Sequence, residues 1–144
     1  DKIIQDNFNK KIGTIINTHS NADHAGGNKY FFEKYNCKIL TTKKESAFLE
    51  NPYLESAILW GAHPFDKIRT SYFECESSTA TEFVNENSII ELNTKAKISF
   101  VSLPGHFIDM IGISILVRGI NFSSEASEAL KRFIKLYKLV VAIN

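Results

Sequence analysis

The chain is poor in cysteine, has no surplus of charge of one sign, and contains no long hydrophobic run. Two cysteines, Cys37 and Cys75, are too few for a disulfide framework and read as ordinary half-buried thiols. With a net charge of +1 and acids and bases interspersed, there is no basic stripe for nucleic acid. Nor is there a polybasic amphipathic segment for a membrane surface. The longest apolar runs, such as residues 110–117, are far too short to span a bilayer. Asp1 opens directly into a polar, helix-like stretch and not into a signal peptide, so a cytoplasmic protein is the expectation. No internal repeat is present.

What the chain does have is the makings of a core. Its 144 residues suffice for one domain, 1–144, and contents of 44% apolar and 12% aromatic residues are those of a globular protein. Residues 1–11 carry Ile3, Ile4 and Phe8 at helical spacing, which predicts a short amphipathic helix ended by Gly13. The β-branched run TIIN, 14–17, predicts a buried strand. After Gly26 and Gly27, Asn28 is placed to cap a helix running through Tyr35, and CKILTT, 37–42, predicts the next strand. This β-loop-α-β order is that of an α/β layer.

Residues 45–49 look helical until Asn51-Pro52 breaks them. From 53 to 85 the chain holds Trp60, Phe65, Tyr72 and Phe73 with no clean period. Such a connection is either a lid or substrate wall, or a lobe packed onto the core. Residues 88–92 and 97–103 flank an Asn93-Thr94 turn and predict a β-hairpin. Residues 111–117 and 120–122 predict a second, turning at Arg118-Gly119. Ala126, Leu130, Phe133, Ile134 and Tyr137 then follow the helical period, and the terminal LVVAI reads as one more strand.

Chemistry gathers in three strand-end loops. THSNADHAGG, 18–27, sets His19, Asp23 and His24 within six residues, ahead of two glycines. Asn21 sits where a third histidine would be expected, since side chains two apart on an extended segment point the same way. In LPGHFIDMIG, 103–112, Pro104-Gly105 turns the chain and presents His106 at the end of a strand. Glu125, in NFSSEA, again follows a strand. Zinc and its neighbours need imidazole and carboxylate donors converging from several segments, because one short segment cannot surround an ion. Each loop taken alone is more often structural, since Asn/Asp/Gly turns ahead of helices are common. Taken together they favour metal. His63, directly before Pro64, reads as a surface histidine.

At these residues the chain resembles the metallo-β-lactamase superfamily, whose signature is a strand followed by His-x-His-x-Asp-His and usually a Gly-Gly. Here that is His19-Ser20-Asn21-Ala22-Asp23-His24 with Gly26-Gly27 behind it. The family's next ligand lies in a Pro-Gly-His loop, matched by Pro104-Gly105-His106 through Gly112, and its bridging aspartate is matched in place by Glu125. The resemblance implies a partial αββα sandwich, α/β in class. It also implies His19, Asp23, His24, His106 and Glu125 as metal ligands, with Asp23 as the catalytic carboxylate. The cofactor implied is zinc, as one or two ions, with another divalent metal or none as alternatives.

The departures are equally specific. Asn21 replaces the middle histidine, Glu125 is one methylene longer than aspartate, and no histidine follows His106. The chain reads as the middle of such a fold, trimmed at both ends. The implied reaction is hydrolysis of an ester, thioester, amide or phosphodiester in a small-molecule substrate by a metal-bound hydroxide. A bound metal lowers the pKa of its water from near 16 to about 7, and Asp23 would orient that water and handle its proton. Two alternatives stand beside this. One is an inactive relative or fragment of the fold. The other is an assembly module completed at an exposed sheet edge by a second copy or a partner chain.

Overall fold

The computed structural model describes residues 11–93 and 96–117. The element order is β1 (Thr14–Ile16), α1 (Ala22–Ala25), α2 (Asn28–Tyr35), β2 (Lys38–Thr41), α3 (Lys43–Glu50) and α4 (Tyr53–Trp60). A 3-10 turn (Asp66–Ile68) and a two-residue strand β3 (Glu82–Phe83) follow. Then come β4 (Ile89–Asn93), β5 (Ala96–Ser102) and β6 (Ile111–Val117).

The strands form two three-stranded sheets. In the first, β1, β2 and β3 are parallel, with Ile15 beside Ile39 and Ile16 beside Leu40. In the second, β4, β5 and β6 are antiparallel, and Ile98 lies between Ile90 and Ile115. Alternation along β1 and β2 explains why both read as unbroken apolar runs, because a parallel strand is covered on both faces. Ile15 and Ile39 face the helices, in one cluster with Ile12, Ala25, Cys37 and Leu49. Ile16 and Leu40 face the other way and join Val84, Ile98, Phe100, Ile111 and Ile113 between the sheets. The expected α/β sandwich is therefore built, helix layer on sheet on sheet. No helix among the described residues is long and apolar enough to cross a membrane.

Several elements differ from their sequence expectation. Asn28 does not cap α2. It is the first helical residue, and its buried amide donates to Asn17 Oδ1 at 2.8 Å. Cys37 is fully buried, not half-buried. The aperiodic stretch after Pro52 opens with a helix, α4, whose polarity is inverted. Glu55 and Ser56 are buried, while Ile58, Leu59 and Trp60 are about half exposed. Residues 111–117 pair with β5 as an antiparallel neighbour. The helix at 1–11, the partner strand 120–122, Glu125, the helix from Ala126 and the LVVAI strand lie wholly or mainly outside the described residues.

Candidate functional site

The site begins where β1 ends. Asn17 N–H donates to Leu40 O at 2.9 Å, continuing the ladder one residue past the strand. Thr18 then offers its carbonyl to Ile111 N–H, also at 2.9 Å. That bond ties the start of β6, at the end of the connection carrying His106, to the loop that follows β1. The consequence is a cluster of three imidazoles from two loops. The His19 ring centroid lies 4.2 Å from that of His24 and 5.0 Å from that of His106, with Phe107 behind at 6.3 Å. Asp23 Oδ2 is 3.6 Å from His24 Nε2.

His19 is sealed from solvent, at 0% exposure. Burial, helped by the proximity of His24 and His106 and opposed by Asp23, lowers its pKa to about 4. At neutral pH the ring is therefore uncharged, the form in which imidazole ligates. Its Nδ1 shares a 3.0 Å hydrogen bond with Thr18 Oγ1. Its Nε2 is buried and finds no hydrogen-bond partner among the described residues, and the same holds for Asn21 Oδ1. Buried polar atoms are rarely left unmatched, because each costs about 1–3 kcal/mol. Two such atoms on one loop, both able to donate a lone pair, fit a cation in donor chemistry. Convergence is another matter: among the described residues no three His, Cys, Asp or Glu side chains form a group placed to hold a metal ion.

Of the residues singled out in the sequence, then, His19, His24 and His106 come together with Asp23 alongside. Glu125 lies outside the described residues. Asn21 caps α1 through its backbone, at φ −54° and ψ 141°, with no capping bond from its side chain. His63 is exposed and shares a 3.2 Å hydrogen bond with Tyr53 Oη.

Two buried glutamates escaped the sequence reading. Glu45, from α3, accepts hydrogen bonds from Ser20 N–H and Oγ–H at 2.9 and 2.6 Å, and from Asp109 N–H at 2.7 Å. Glu55, from α4, accepts from Ala22 N–H at 2.7 Å. Burial pushes the Glu55 carboxyl up to about 7, against the pull of that N–H, with nearby Asp23 adding to the rise.

A family comparison decides what this arrangement belongs to: the profile of the metallo-β-lactamase superfamily matches residues 5–106. The chain belongs to that superfamily. Solved structures of similar fold agree. The subclass B3 metallo-β-lactamase BJP-1 of Bradyrhizobium japonicum aligns with a TM-score of 0.59 at 18% identity, over 75% of this chain and 37% of that one. A Cronobacter sakazakii metallo-β-lactamase with a HARLDQ motif aligns with a TM-score of 0.59 at 13% identity, over 77% of this chain and 40% of that one. A mutant of the Cronobacter motif gives a TM-score of 0.61 at 12% identity, over 94% and 57%. This chain thus spans between 37% and 57% of the length of these metallo-β-lactamases. No curated protein gives a match. In metallo-β-lactamase terms, the imidazole cluster occupies the two loops that the resemblance singled out.

Proposed function

We propose that this chain carries the metal-binding part of a metal-dependent hydrolase of the metallo-β-lactamase superfamily, acting on an ester, thioester, amide or phosphodiester. The observation that carries the reading is His19 Nε2, a buried nitrogen of a neutral imidazole without a hydrogen-bond partner among the described residues, with two further imidazole rings centred 4.2 and 5.0 Å from its own. His19, His24 and His106 would hold zinc, with Asp23, and with Glu125 completing the set. Zinc, when bound, supplies Lewis acidity and lowers the pKa of a coordinated water to about 7.

The chain's own residues supply the rest. His19, kept neutral by burial, offers its nitrogen without first losing a proton. Asp23, whose Oδ2 is 3.6 Å from His24 Nε2, would accept and pass on a proton at that carboxylate. Asn21 offers an amide oxygen where imidazole would bind more tightly, which would lower the affinity for zinc.

Elemental analysis of protein purified without chelator tests the reading, followed by zinc titration and assays on ester, thioester, amide and phosphodiester probes. One or two zinc ions per chain with hydrolysis that chelation abolishes is the expected result. A protein that neither retains nor binds zinc overturns metal dependence. It would favour the second reading, an inactive relative, for which Asn21 in the histidine position already speaks.

A further inference from the structure

We propose that Glu45 is the positioning residue of this site, its carboxylate bracketing the His19 loop to the His106 loop and so setting the approach of their imidazoles. Glu45 is fully buried, at 0% exposure, although it belongs to the first turn of α3. One carboxylate oxygen takes both donors of Ser20, the neighbour of His19. The other takes the N–H of Asp109, three residues beyond His106. Both loops therefore donate to one carboxylate.

The rest of that turn works on the same segment. Thr42 Oγ1 caps α3 by accepting from Glu45 N–H at 3.4 Å, and it donates to Asp109 O at 3.2 Å. Lys44 Nζ lies 3.3 Å from Asp109 Oδ1. Asp109 is held at its N–H, its carbonyl and its side chain by three residues of one helix start. Thr42-Lys43-Lys44-Glu45 has the spacing of a capping box, in which the glutamate would turn back toward the cap residue. Here the carboxylate reaches out to the two loops instead. An apolar side chain would fill the same space without the cost of burying a charge. What it could not do is accept three hydrogen bonds from two loops, and short bonds to a carboxylate are the stronger kind. Glutamine fails for the same reason, because its NH2 must face one of the donors.

The inference rests on the metal-site reading only for its zinc readout, so it is tested on two. The first is the ring-to-ring NOE between His19 and His106 in metal-free protein, whose centroids lie 5.0 Å apart. The second is affinity for Zn2+ alone. Glu45→Gln is compared with Leu49→Ala, which cuts into the apolar cluster behind the first sheet and removes no hydrogen bond made by either loop. Glu45→Gln should lose most of the NOE and bind Zn2+ about 10- to 100-fold more weakly, while Leu49→Ala keeps both. An unchanged NOE and affinity in Glu45→Gln overturns the proposal, and so does the same loss in Leu49→Ala. If the wild type binds no Zn2+, the metal reading falls and the NOE alone decides on Glu45. If Glu45→Gln does not fold, Ser20→Ala decides, since it removes one hydroxyl donor. A weakened ring contact then supports the bracket, and an unchanged one overturns it.

Discussion

Replacing Glu55 by glutamine should change the pH dependence of stability in a calculable direction. The carboxyl sits at about 7 in the folded chain against 4.5 in the unfolded one, because burial penalises its charge. At about 1.36 kcal/mol per pH unit, that interval corresponds to roughly 3 kcal/mol. The sign follows from proton counting. Between pH 4.5 and about 7 the folded state binds more protons than the unfolded state, so this contribution is complete below 4.5 and is lost as pH rises through 7. Glutamine mimics the protonated acid. It keeps a carbonyl oxygen for Ala22 N–H and has no charge to gain. The stability difference between Glu55→Gln and wild type should therefore grow in favour of the variant by roughly 3 kcal/mol between pH 4 and pH 8. His19 titrates in the opposite sense over part of this range, but it is present in both proteins and cancels from the difference. Urea unfolding of the pair across the pH series measures it. Parallel stability curves would show that the Glu55 carboxyl ionises freely, and would refute the argument from burial.

Other consequences follow for the same molecule. The His19 ring should stay neutral down to about pH 4, so acid costs stability as pH falls from 6.5 toward that value. A midpoint near 6.5 in the 15N NMR titration of that ring would show it is not shielded. Asn21→His should raise zinc affinity by about one to two orders of magnitude, since even indirect partners of a ligand are worth 10- to 100-fold. Equal affinity in isothermal titration would mean Asn21 is not what limits the site. Leu49→Ala empties a fully buried position and should cost about 2–5 kcal/mol in chemical unfolding. A loss below 1 kcal/mol would mean that the layer between helices and sheet collapses to fill the gap.

How far the sequence discloses this molecule depends on whether local pattern and tertiary demand agree. They agree at β1 and β2, where burial on both faces requires the β-branched runs that 14–17 and 37–42 display. Agreement holds again at α2, which stops where Asn36 turns left-handed at φ 51°. They conflict in α4. Its buried side carries Glu55, which accepts from a backbone N–H of the histidine loop, while Ile58, Leu59 and Trp60 lie outward, so no clean period marks the helix. Strand β3 is two exposed residues long and is defined by pairing with β2 alone, which no local pattern encodes. The histidine loops were legible because ligand types at close spacing are rare by chance. Glu45 was not, since a glutamate in a helix's first turn ordinarily faces water. Its role is fixed only by which loops the fold brings to it.

The bracket also dictates an order of assembly. Glu45 meets Ser20 across 25 residues of chain but meets Asp109 across 64. Closing a loop costs entropy that grows with the logarithm of its length, and contacts of long range form after those of short range. The His19 side of the pocket can therefore settle as soon as β1, β2 and α3 have condensed. His106 joins only once the antiparallel sheet has formed and Ile111 has found Thr18. On loop entropy alone, completion of the cluster is therefore expected to follow formation of its His19 side.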